Sequence, residues 1–211
     1  MNLVEQGKLP WVQLHSGAPF QLLTNMQTSK GVLSKDIAHA LGSIQRYNAH
    51  TKNYYSVAEH CCLISDWILR EFNDNGLALA GLLHDAHEAI TGDLTSPMQN
   101  VLELMNPGFK SAFRDLQHSV DTTILRAFGL DVQWEDRWCP EEIYDVVIRE
   151  ADTRIITDEQ NQTMCRSPYP DNGGWPSQPA LGVTLQFWGP QQARREWHER
   201  LGRLVNSIRG F

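Results

Sequence analysis

Residues 81–97, GLLHDAHEAITGDLTSP, constrain this chain more than any other stretch. An apolar run, Leu79-Ala80-Gly81-Leu82-Leu83, delivers His84 and Asp85 side by side, with His87, Glu88 and then Asp93 close behind. Four ionisable groups within five residues, directly after a run that reads as buried, are costly to desolvate unless something binds them. An adjacent imidazole and carboxylate supply one nitrogen and one oxygen ligand, a mixture that suits a first-row divalent metal better than Mg or Ca. A His-Asp pair alone is more often a solvated helix end. Its meaning therefore depends on what the rest of the chain supplies.

Two other helices supply it. Ser56-Val57-Ala58-Glu59 reads as a capping box. It opens an amphipathic helix over Val57, Cys61, Ile64, Ile68 and Phe72, which ends at Asn73-Asp74-Asn75-Gly76 and holds His60 in its first turn. The next helix is expected from Leu77 to Ile90, broken by Thr91-Gly92. If it continues through the motif, Glu88 shares a face with His84 at i+4. Further on, Cys139-Pro140-Glu141-Glu142 opens a long helix to about Gln160, with acidic residues at the positive end of its dipole. Its apolar stripe of Ile148, Ala151, Ile155 and Ile156 encloses Asp152. An inward aspartate should be paired, protonated or metal-bound, and Arg149 and Arg154 are near enough to compete for it. His60, His84, Asp85 and Asp152 thus stand as candidate ligands on three inward-facing helices.

The remaining chain reads as support. Residues 10–23 form a small β-hairpin around a Ser16-Gly17 turn, and Ser34 to Gly42 a short capped helix carrying His39 as a packing residue. The polar loop QRYNAHTKNYY, 45–55, brings Arg46, Lys52 and His50 toward the His60 helix as candidate substrate contacts. Ser96-Pro97 begins a short helix with an N-cap and an N1 proline. Asn106-Pro107 begins another, with Phe109, Phe113, Leu116, Val120, Ile124 and Phe128 inward and Gly129 closing it before a Trp134–Trp138 loop. A loop rich in Pro and Gly spans 166–182. Val183 to Phe187 alternates as a strand that could pair with the hairpin, and a terminal helix follows Gly189-Pro190. The class is mainly α: one domain over 1–211, with a hairpin at 11–23, a helical core at 34–160 and a C-terminal helix at 190–208.

The net charge of −7 argues against a nucleic-acid polymer as partner but permits a small anion held by a metal and one or two cations. Cys61, Cys62, Cys139 and Cys165 form no zinc-ribbon spacing, and their scatter without a signal peptide points to a reducing cytoplasm. No run approaches the ~18 apolar residues of a membrane span. Homo-oligomerisation is left open.

The order H…HD…D resembles the HD-domain metal-dependent phosphohydrolases. SVAEH (56–60), LLHDAHEAITGDLTSP (82–97) and EADTR (150–154) are similar to segments of the bacterial and phage branch that includes 5′-deoxynucleotidases. QRYNAHT (45–51) is similar to that branch's arginine-bearing loop, and the hairpin and the DIAHAL helix to its phage-type members. The resemblance implies an HD-domain helical bundle with one divalent transition metal, Co, Mn, Zn, Ni or Fe, on His60, His84, Asp85 and Asp152. Such a set leaves metal positions open, as a catalytic site needs. It further implies Glu88 and Asp93 in the chemistry and Arg46 on the phosphate, with Lys52 and His50 as further substrate contacts. His87 stands where many members carry a small residue, and its role is open.

The expected activity is hydrolysis of deoxyribonucleotides, releasing phosphate from deoxynucleoside 5′-monophosphates. A deoxynucleoside triphosphate triphosphohydrolase would need the same ligands and one arginine. Alarmone hydrolysis is disfavoured, because that branch resembles HDxxED and Ala89 stands at the second acidic position. A non-catalytic nucleotide sensor on the same scaffold would be expected to have lost a ligand, and none is lost.

Overall fold

The structure, a computed structural model, describes residues 10–22, 30–127, 143–169, 175 and 177–209. The chain is mainly helical, with a two-stranded antiparallel hairpin, β1 (Trp11–Gln13) and β2 (Pro19–Gln21), before the helices. The helices are α1 (Lys30–Ser43), α2 (Val57–Phe72), α3 (Asn75–Leu83), α4 (Glu88–Thr91), α5 (Ser96–Met105), α6 (Phe109–Ala127), α7 (Ile143–Thr163) and α8 (Pro190–Arg209). The expected Phe128–Gly129 helix end, the Trp134–Trp138 loop and the Cys139–Glu142 helix start lie outside the described residues.

Local chemistry sets the ends of α2. Ser56 is extended and its hydroxyl accepts the N–H of Glu59, while Asn73 closes the helix in the left-handed region at φ 49°. Only half of the capping box forms. The Glu59 carboxylate turns away from Ser56 and accepts the backbone N–H groups of Gln186, Phe187 and Trp188 at 2.6, 2.9 and 2.7 Å. Residues 183–187 are therefore not a strand. Gln162 bonds both the Val183 carbonyl and the Leu185 N–H, so side chains from α2 and α7 take the groups a sheet would have used.

α1 begins at Lys30, and Ser34 is a buried residue within it rather than its cap. Gly42 does not stop the helix. It lets α1 approach α8, since a Cβ there would lie 3.0 Å from backbone atoms of Pro190 and Arg194. The hairpin docks on α1 through Asp36, which accepts the N–H and hydroxyl of Ser16, and through His15 stacked on His39 at 3.7 Å. On α5, Thr95 occupies the N-cap position and Ser96-Pro97 the first turn, one residue off the expected register.

The core lies between α1, α2, α3 and α8, around Leu33, Ile37, Leu41, Ile64, Ile68, Leu79 and Leu82, with Trp197 of α8 fully buried. α2 and α3 form the tightest pair. The Ser65 hydroxyl donates to the Ala78 carbonyl at 2.7 Å, and Gly81 faces Ile64 and Ile68.

α3 stops at Leu83 instead of running to Ile90. In a continuous helix the Gly81 and Leu82 carbonyls would accept the N–H groups of Asp85 and Ala86. Here His84 Nδ1 bonds the Gly81 carbonyl at 2.8 Å, and Trp197 Nε1 donates to Leu82 at 3.2 Å. The Ala86 N–H accordingly bonds Leu83, three residues back. The motif thus sits on tight turns between α3 and α4.

A Cβ on Gly81 would come within 2.6 Å of Ile68 Cδ1 and 3.2 Å of Ile64 Cγ2, both in a closed core. Gly81→Ala should therefore destabilise the fold by about 1–3 kcal/mol, the usual cost of overpacking. Urea unfolding will measure it.

Candidate metal centre

Three helices converge on the central motif. His60, at the start of α2, is fully buried, and His84 follows α3 with its ring centroid 5.2 Å away. Asp152 of α7 reaches both: its Oδ1 lies 3.1 Å from His60 Nε2 and 4.0 Å from His84 Nε2. Asp85 Oδ2 lies 3.1 Å from His84 Nε2 and 3.7 Å from His60 Nε2. All four candidate ligands are brought together. Arg154, which might have neutralised Asp152, instead binds Glu150 and the carbonyls of Pro179 and Ala180.

Hydrogen bonding decides which imidazole nitrogens are available. A carbonyl and a carboxylate can only accept, so His84 Nδ1 donates to Gly81 and His60 Nδ1 donates to Glu159 Oε1, each at 2.8 Å. Each neutral ring then carries its lone pair on Nε2. Both Nε2 atoms are buried without a hydrogen bond, although carboxylates stand near them. Two unpartnered nitrogens facing two carboxylates suit a cation, and the His60, His84 and Asp85 ligand atoms lie within 4.8 Å of one another.

His87, Asp85 and Glu88 form a second such grouping. There His87 is already engaged: Gln117 Nε2 meets its Nε2 at 2.9 Å, and its Nδ1 bonds Asp121 at 3.1 Å. Its ring is held by α6 and does not offer a free lone pair.

Glu159, two turns after Asp152 on α7, escaped the sequence reading. It is fully buried and gathers His60, the hydroxyls of Tyr47 and Tyr55, and the Arg46 guanidinium at 3.3 Å. Burial opposes its ionisation, but Arg46 and His60 hold its pKa down to about 2. Its one sequence signal is the interval of four from Ile155 on the apolar stripe. Arg46 also points Nη1 at Asp85, 3.7 Å away. The turn that follows is strained: Tyr47, Asn48 and Ala49 have φ of 57°, 51° and 65°, a left-handed run costing about 1–2 kcal/mol per non-glycine residue.

These groups border a cavity of about 860 Å³, lined by Arg46, His50, Asp85, Glu88, Asp93 and Asp152 and walled by Tyr47, Ile156, Met164 and Trp175. The volume suits a small organic molecule. Lys52 is not part of it. It borders a separate cleft and is held there by its N–H to the Thr163 carbonyl at 2.8 Å. Glu88 contributes a buried Oε2 with no partner. Burial and the Asp85 and Asp93 charges push its carboxyl well above the usual range, and burial raises Asp93 against the pull of Arg46. For Asp85 burial is outweighed by His84, His60 and Arg46, which keep it ionised.

No family model matches the chain. It is 32% identical over 99 residues to the uncharacterised protein YfdR of Escherichia coli K12, covering 47% of this chain and 48% of that protein. With an uncharacterised protein of Rhodobacter capsulatus it shares 36% identity over 96 residues, 44% of this chain and 48% of the other. The chain therefore spans about half the length of the curated relatives it matches. Among the described residues no helix is long and apolar enough to cross a membrane.

The ring of His84 links metal and proton. Burial disfavours its charged form, yet the neighbouring Asp85 outweighs this and raises its pKa well above the usual value. Asp85 thus favours a proton on this ring, and a metal binding at Nε2 competes with that proton. Divalent-metal affinity should accordingly rise with pH through neutrality. Calorimetry in two buffers of different ionisation enthalpy should report net proton release on binding, whereas heats independent of buffer would show that no proton is displaced from His84. Asp85→Ala should remain folded and lose the metal.

Proposed function

We propose that the chain is a metal-dependent phosphohydrolase acting on deoxyribonucleotides, with release of phosphate from 5′-monophosphates as its reaction. One observation carries the reading: two buried imidazole nitrogens without partners, facing two carboxylates that line a cavity which also holds a half-buried arginine. The resemblance of the H…HD…D order supplies the reaction class. His60, His84, Asp85 and Asp152 would hold one divalent transition metal. When bound, it supplies Lewis acidity, activating water and screening phosphate charge.

The surrounding residues divide the remaining work. Arg46 is fixed by Glu159 through its Nε side, which leaves Nη1 toward the cavity beside Asp85. A guanidinium so held grips a phosphate through paired N–H donors without first losing its own rotamer freedom. Glu88 and Asp93, whose protonated forms burial favours, are suited to orient water and to exchange a proton with it. Trp175, Tyr47 and Met164 offer flat or apolar surface for a base.

Arg46→Ala should lower kcat/KM about ten- to a hundredfold, from roughly 1.5–3 kcal/mol for a hydrogen bond to a charged group, and should affect both KM and kcat. Arg46→Lys should restore only part of the loss, because a point charge lacks the fork. Near-wild-type rates in Arg46→Ala would end this assignment. Glu88→Ala and Asp93→Ala should retain metal while turnover falls steeply, and a metal-free variant would convert that residue to a ligand. Assays of phosphate against triphosphate release, across nucleotides and with Mn, Co, Zn, Ni or Mg restored to stripped protein, test the activity itself.

A further inference from the structure

His87 is not among the four candidate ligands, yet it stands at their edge. A nitrogen of its ring lies within 4.8 Å of carboxylate oxygens of Asp85 and Glu88. Both ring nitrogens are engaged by α6: Asp121 Oδ2 lies 3.1 Å from Nδ1, and the amide nitrogen of Gln117 lies 2.9 Å from Nε2. A carboxylate only accepts, so Nδ1 donates to Asp121. The lone pair on His87 Nε2 then accepts an N–H from Gln117.

This chain of bonds decides what Gln117 offers to the cavity it lines. An unconstrained glutamine amide can turn over, meeting a donor with its oxygen or an acceptor with its nitrogen. Here a turned amide would set Oε1 against the His87 lone pair, two acceptors with no proton between them. The nitrogen is therefore committed to His87, and Oε1 is the group kept for a ligand. Gln99 is fixed in the same sense, its Nε2 donating to the Leu94 carbonyl at 2.7 Å. Both glutamines line the main cavity, one from α5 and one from α6. Neither carries charge, so they suit the neutral part of a nucleotide, whereas Arg46 and a bound metal suit its phosphate.

Two reserved acceptors discriminate between bases. The exocyclic amino group of adenine or cytosine brings two N–H donors, while a keto oxygen in its place can only accept. The first satisfies both amide oxygens and the second faces lone pairs with a lone pair.

We propose that Gln117 is a specificity residue for nucleobases bearing an exocyclic amino group, and that His87 and Asp121 are the positioning residues that lock its amide. The proposal rests on the phosphohydrolase reading and deepens it by naming the class of base.

Two pairs of 5′-monophosphates exchange amino for keto at one ring carbon: deoxyadenosine against deoxyinosine, and deoxycytidine against deoxyuridine. Phosphate release gives kcat/KM for each, and calorimetry gives Kd. Wild-type protein should favour the amino member of at least one pair about tenfold, as expected when an acceptor is left facing an acceptor. Gln117→Leu should bring that ratio to within about twofold of one. His87→Phe keeps a ring but removes the lone pair, so the amide can turn. Its ratio should fall because the keto member improves, with metal content unchanged. A variant that had merely lost structure would not gain on any substrate. Equal constants within both pairs in wild type, a keto preference, or a preference that survives Gln117→Leu overturns the proposal. Equal losses on amino and keto members in His87→Phe overturn the positioning role. If no nucleotide is hydrolysed, the phosphohydrolase reading fails, while the Kd ratios still decide whether Gln117 reads the base.

Discussion

The site depends on two hydrogen bonds that face away from it. His60 and His84 each commit Nδ1, one to the buried carboxylate of Glu159 and the other to the Gly81 carbonyl. Those bonds fix the rings and leave both Nε2 atoms beside the carboxylates of Asp85 and Asp152. Leaving a buried polar atom unpaired costs about 1–3 kcal/mol, and here two such atoms stand together. Such an arrangement beside two carboxylates could hold a cation. The break in α3 serves the same end, because the His84 ring takes a carbonyl that a continuous helix would have used.

Glu159 extends that organisation to the substrate side. One carboxylate orients a candidate metal ligand, holds Arg46 and accepts two tyrosine hydroxyls. The Tyr47 contact also secures a turn of consecutive left-handed residues, so the cost of that backbone is met by bonds to α7. Candidate metal ligand and candidate phosphate grip are therefore positioned by a shared group on α7.

The sequence singles out His60 and Asp152 because each is an ionisable residue on an apolar helical period, and His84 and Asp85 because they directly follow an apolar run. The hairpin, the Ser56 cap and α8 are legible for the ordinary reason that turn and cap chemistry is local. Glu159 is less legible. A glutamate near a helix end usually meets solvent, and only the arrival of Tyr47, Tyr55 and Arg46 from distant loops makes it a buried hub. The break after Leu83 is hidden for a similar reason: no Gly or Pro marks it, and Trp197, far along the chain, helps to impose it. Residues 183–187 alternate like a strand, yet Glu59 and Gln162 claim their backbone groups. Lys52 shares a loop with Arg46, but its N–H bond to Thr163 places it on another surface.

The account is tested most directly by the coordination shell of a bound ion. Stripped protein loaded with one equivalent of Co or Zn, studied by X-ray absorption and by anomalous diffraction from crystals, should show two imidazole nitrogens at about 2.0–2.1 Å, with carboxylate oxygens completing the protein set. Those nitrogens should be Nε2 of His60 and His84. An ion held by oxygen alone, or by Nδ1, would contradict it, as would an ion bound elsewhere while both Nε2 atoms remain bare.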